Sequence, residues 1–173
     1  MGMKYTHDIS KLYLESVNRN LVLDRHTSQD QLMKATRIVA YHGCRSKDPF
    51  VAKIKKRPDV SIHAGSMFQA VWRADYKVND EGDYDVAHIH ELVIEPKSIY
   101  PKLVLDSGYD QDQQDEDQYK GKYDLLVYHN TGEGHAHEPN LSIIVLDHSI
   151  IKSSRLYAAM NADQLTKYME ENN

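Results

Sequence analysis

Apolar residues recur along this chain in two rhythms. Ile9, Leu12, Leu14, Val17 and Leu21 recur at helical steps and predict a helix from Asp8 to about Arg25. Ser28 then precedes "QDQLMKA" and predicts the capped start of a second helix. The β-branched density of "TRIVAYHG" predicts a strand that ends at Gly43. "VSIHAGSMFQAVWRADY" reads as a short strand, a turn at Ala64 to Ser66, and a helix carrying Phe68, Ala70, Val71 and Ala74, with Ser66 as its cap. Strict alternation in "YDVAHIHELVIEP", Tyr84 to Pro96, predicts a strand, and "YDLLVYHN" and "NLSIIVLDHS" predict two more. A last helix is expected around Tyr157 to Glu171. Helices first and mainly strands afterwards make an α+β domain.

Length and composition narrow this picture. At 173 residues with 40% apolar content the chain suits one domain with one core: a helical segment at 1–36, a core at 37–153 and a helix at 154–173. A single cysteine, Cys44, excludes an intramolecular disulfide, and no apolar run is long enough for a spanning helix, so a soluble protein of a reducing cytoplasm is expected. The net charge of −5 gives no general attraction to nucleic acid, and the local cluster "KIKKRPD" at Lys53 to Asp59 fits a solvated loop or helix end. "YDQDQQDEDQY", Tyr109 to Tyr119, holds five acids, no base and no aliphatic residue, and reads as a mobile loop.

Local motifs for chemistry are few. "HIHE" at 88–91 and "HAHE" at 135–138 each put two histidines on one side of an extended strand, where they could share a metal. Gly82, His88, His90 and Glu95 resemble the first half of a cupin metal motif, but Lys102 stands where its next glycine belongs and no second half follows, so no metal is assigned. There is no Gly-rich phosphate loop and no Gly-x-Ser-x-Gly elbow. Cys44 lies beside His42 and Gly43, which in an extended segment does not itself make a thiolate–imidazole pair.

An ordered set remains: "YHG" at 41–43, "IHAGSMFQA" at 62–70, "YDLLVYHN" at 123–130 and "EPNLSIIVLDHSIIKS" at 138–153. In that order it resembles the ADP-ribosyltransferases of the diphtheria-toxin and poly(ADP-ribose) polymerase type, especially their small phage and mobile-element members. The resemblance spans roughly Ile38 to Ser153 and implies split, bent, antiparallel or mixed β-sheets behind N-terminal helices. It also implies NAD as donor, cleavage of the nicotinamide–ribose bond, and transfer of ADP-ribose to a host protein or nucleic acid.

The resemblance assigns roles residue by residue. Tyr41, His42 and Gly43 form the first cofactor-binding motif, in which His42 holds the nicotinamide ribose and the Gly43 main chain grips the carboxamide, an approach that a side chain would obstruct. His63 stands where the family usually has a tyrosine stacked on nicotinamide, a departure it shares with members resembling RNA 2′-phosphotransferases. Ser66 caps the helix behind the pocket. Ser142 occupies the position of the polymerase-type glutamate, which leaves Glu138 and Glu133 as candidate catalytic acids. A carboxylate is wanted because bond cleavage builds oxocarbenium-like charge on the ribose. The alternatives are a non-catalytic interaction or inhibitor protein on the same scaffold, using its acidic loop, and an RNA 2′-phosphotransferase-like enzyme.

Overall fold

The computed structural model describes residues 20–47, 60–104, 116–133 and 139–172. Most of the predicted first helix, the basic cluster at Lys53 to Asp59, the larger part of the acidic segment, "HAHE" and Glu138 lie outside them.

The described residues form a mixed α+β fold with two four-stranded sheets. The first sheet has the order β1 (Asn20–Val22), β2 (Arg37–Cys44), β4 (Val86–Ile94), β8 (Ile151–Asn161). The second has the order β3 (Ile62–Ala64), β7 (Leu141–Val145), β6 (Leu125–His129), β5 (Ile99–Val104). The β1–β2 and β5–β6 pairs are parallel and the others antiparallel, so both sheets are mixed. Among the helices that accompany them are α1 (Gln29–Lys34), α2 (Met67–Asp75) and α3 (Ala162–Asn172).

Alternation along the strands sorts side chains into three apolar clusters. Ile38, Ala40, Leu92 and Ile94 of the first sheet meet Ile62, Ala64, Leu125, Val127, Ile143 and Val145 of the second, which forms the main core between the sheets. Ala87 and Ile89, on the other face of the first sheet, pack with Ala70, Val71 and Ala74 of α2 and Leu165 of α3. The opposite face of the second sheet carries Val104, Leu126, Tyr128, Ile144 and Leu146. Each fully buried leucine or isoleucine contributes about 1.5–3 kcal/mol relative to exposure, which is why the register is tightly specified.

Local signals predict most of these elements. Ser28 and Ser66 each form a capping box, with Gln31 and Gln69 as reciprocal partners. Three expectations are corrected. Residues 20–22 at the end of the predicted first helix are a strand, drawn into parallel pairing with Arg37, Ile38 and Val39. The segment expected to open the last helix is instead β8, because its backbone pairs with β4 from Val86 to Ile94 and Arg155 bonds Glu91 across the strands at 2.7 and 3.0 Å; α3 begins at Ala162. Residues 116–119, at the end of the segment read as a mobile loop, are helical, and Glu116 there is buried. Strand β5 was not foreseen because Pro101 interrupts it; a proline cannot donate to a ladder, and β5 lies at a sheet edge with an irregular register between Ile99 and Leu103.

The sheets meet where β2 passes β3. Tyr41 N–H donates to the Gly65 carbonyl at 2.8 Å and Gly65 N–H donates to the Tyr41 carbonyl at 3.0 Å. Helix α2 starts at Met67, two residues after Gly65, and packs on β2. A Cβ at Gly43 would come within 2.6 Å of the Ala70 carbonyl oxygen, a backbone atom that cannot move aside cheaply. Gly43→Ala is therefore expected to lower the unfolding free energy by about 1–3 kcal/mol through overpacking, measured by urea denaturation.

Candidate functional site

The candidate residues gather around the bridge. His42 follows the bridging Tyr41, and its Nδ1 donates to the main-chain carbonyl of His63 at 2.7 Å. Strand β2 thus supplies a side-chain donor to the edge of β3 where regular pairing between the sheets stops. Gly43 is the next residue, and the close approach that it permits is to the backbone of α2.

The His63 side chain lies on the opposite face of β3 from Ile62 and Ala64, which are buried in the main core. Its Nε2 is 2.8 Å from Oε1 of Glu116, and its Nδ1 is 3.4 Å from the Tyr128 hydroxyl. The Tyr128 ring meets it edge-on, with centroids 5.7 Å apart. Asn130 continues the line: its Nδ2 lies 3.4 Å from the Tyr128 hydroxyl, 3.3 Å from Ser142 Oγ and 3.0 Å from Glu133 Oε2. Arg73 of α2 reaches Glu133 at 3.6 Å. One polar chain therefore runs Glu116, His63, Tyr128, Asn130, Glu133, Arg73 across the second sheet to α2. It joins two of the expected catalytic residues, His63 and Glu133, and Asn130 also touches Ser142. Glu138 lies outside the described residues.

Two other predicted residues share a cavity. Tyr41 and Ser66 line a space of about 560 Å³ with Asp24, Arg25, Phe68 and Tyr168 among its walls, and His42, Gly43, His63 and Glu133 are not in that lining. Burial, then the neighbouring Glu91 carboxylate, raises the Tyr41 phenol above its ordinary range, so it stays a protonated donor near neutral pH. Ser66 Oγ accepts from Gln69 N–H, and Gln69 Nε2 donates to the Asn140 carbonyl, which fastens α2 to the start of β7. Asn140 holds a positive φ of 44°, a conformation asparagine tolerates better than most residues.

The paired histidines of β4 have other surroundings. His90 is fully buried opposite His42 and its Nε2 bonds the Ser46 carbonyl at 2.8 Å, while His88 lies opposite Cys44. Among the described residues no group of three or more potential ligands is arranged to hold a metal ion.

Glu116, Tyr128 and Asn130 escaped the sequence reading. Glu116 is one acid in a run of acids, and nothing local marks it as the one that turns inward. Tyr128 and Asn130 had a readable signal, since with Leu126 they occupy alternate positions of a predicted strand.

Burial alone would push the Glu116 carboxyl up, but the hydrogen bond from His63, together with the charges of His63 and Lys120, holds it below the ordinary glutamate range. A folded value below the unfolded one means that the unfolded chain takes up the proton first as pH falls. The contribution of Glu116 is full above the unfolded glutamate value of about 4.3 and is lost as pH drops through the folded value. Glu116→Gln is expected to flatten this acid limb of melting temperature against pH. A residual limb should persist from Asp147, lowered by its hydrogen bonds with Ser149.

No protein-family model matches this chain, and no curated protein or solved structure was found to be similar to it.

Proposed function

We propose that this chain is an NAD-dependent mono-ADP-ribosyltransferase, of the kind encoded by phages, that modifies a host macromolecule. The observation that carries the reading is the seam: His42 donates to the His63 carbonyl where the two sheets part, and the His63 side chain continues through Tyr128 and Asn130 to Glu133. Three of the residues that the family resemblance singles out are thus linked by hydrogen bonds, although they come from three separate parts of the sequence.

In this reading His42 engages the nicotinamide ribose from β2, and His63 offers its ring to the nicotinamide. The Gly43 main chain grips the carboxamide, and its missing side chain also lets α2 lie close to β2. Tyr41 and Ser66 belong to the adjoining cavity, whose volume falls in the usual range for ligand sites, about 300–1,000 Å³. The reaction breaks the bond between ribose C1′ and the nicotinamide nitrogen. The electron pair leaves with nicotinamide, the acceptor nucleophile forms the new bond to C1′, and the acceptor gives up its proton. Glu133, held by Asn130 and Arg73, stabilises the positive charge that develops on the ribose.

The test is incubation of the protein and a bacterial lysate with NAD labelled on its adenylate part. Label is expected on a macromolecule, with loss in His42→Ala and a fall of about 10²–10³ in rate in Glu133→Gln. Digestion with protease or nuclease then names the acceptor class. Absence of label, together with no NAD-induced rise in melting temperature, would overturn the proposal. Equal rates in Glu133→Gln and wild type, with loss in Glu138→Gln, would move the catalytic role to Glu138.

A further inference from the structure

The cavity against α3 lies on the other side of β2 from the seam. Ala40 joins the main core between the sheets, and His42, two residues on, bonds the His63 carbonyl on that same side. Tyr41 between them points the opposite way and packs with the apolar cluster of α2 and α3. The cavity, about 560 Å³, is walled by residues 22–26 at the end of β1, the first turn of α2 and the last turn of α3. It is a space of ligand size, separate from the His42 and His63 side chains.

The lining suits a flat ring with a polar edge. Tyr41, Phe68 and Tyr168 supply three aromatic rings, and Leu23 and Met67 add apolar surface. Hydrogen-bonding groups of both kinds stand among them: the Tyr41 and Ser66 hydroxyls can donate, and the Asp24 carboxylate can accept. Glu171, exposed on the last turn of α3, offers a second carboxylate, which sugar hydroxyls can reach as donors. Charge sets the limit on the ligand. Two carboxylates line the cavity against one guanidinium, Arg25, whose Nε donates to His26 at 3.2 Å. The start of α2 adds a partial positive charge of only about half a unit. A phosphate would meet no surplus of positive charge here.

We propose that this cavity is a second ligand site, for an uncharged nucleoside, with the base among Tyr41, Phe68 and Tyr168 and the ribose hydroxyls toward Glu171. Tyr41 forms the bridge with Gly65, and Ser66 follows that glycine. A nucleoside held by both would grip the two sides of the bridge on the face away from the seam. Such a site stands whether or not the seam binds NAD.

NMR titration of the nitrogen-labelled chain with adenosine, guanosine and AMP tests it. A nucleoside is expected to shift the backbone amides of Leu23, Ser66, Phe68 and Tyr168 and to leave those of His63 and Glu133 in place, with AMP binding about tenfold more weakly than adenosine. Tyr41→Phe keeps the ring and loses the donor, and is expected to weaken the nucleoside about fivefold. Tyr168→Leu keeps an apolar wall and loses a ring, and is expected to weaken it about tenfold. An unchanged melting temperature confirms that each variant folds. No shift with either nucleoside at millimolar concentration overturns the proposal. AMP binding as tightly as adenosine, or both variants binding like wild type, overturns it too. Shifts centred on His63 and Glu133 would overturn it and place the nucleoside at the seam instead.

Discussion

Two hydrogen bonds, exchanged between Tyr41 and Gly65, set the architecture of this protein. With the His42–His63 hydrogen bond and the apolar inner faces they join the two sheets, and they mark where β2 and β3 meet and where they part. Gly65 can take this position because it lacks a side chain: a Cβ there would lie within 3.1 Å of the folded-back Gln69 side chain, which completes the cap of α2. The bridge, the helix start and the parting of the strands therefore depend on one another. His42 occupies the first position past the bridge and satisfies an edge carbonyl of β3 that no strand pairs with there.

The contrast between Gly43 and His63 shows how the site is supported. Gly43 acts through packing, by letting the α2 backbone lie against β2. His63 acts through polarity, being tethered at both ring nitrogens to residues about fifty and sixty-five positions away in the chain. A helix seated closely on one sheet also brings Arg73 to Glu133, which Asn130 holds at the end of the other. Packing and electrostatics at the seam are in this sense one arrangement.

Much of the fold was legible because its signals are local. Capping boxes at Ser28 and Ser66 and the alternation of β4, β6 and β7 need only neighbouring residues to read. What escaped depends on distant partners. Strand β1 is too short to have a period, β5 is interrupted by Pro101, and β8 is a strand because β4 is there to pair with it. The site divides in the same way. His42, His63 and Glu133 could be nominated from ordered motifs, whereas the inward turn of Glu116 depends on His63, fifty-three residues earlier. That Tyr41 and Ser66 would face a cavity, and Gly43 a helix, follows from which face of β2 receives α2, and this is settled only by tertiary packing.

The central claim is that the parting of the sheets at His42 and His63 forms a nicotinamide site. The most direct measurement is a crystal structure of the protein with an NAD analogue whose nicotinamide–ribose bond is carbon-linked and cannot break. The account predicts the pyridine ring against the face of His63, the ribose beside His42, and the carboxylate of Glu133 on the side of the glycosidic carbon. An analogue bound only in the cavity against α3, with the rings of His42 and His63 untouched, would contradict it.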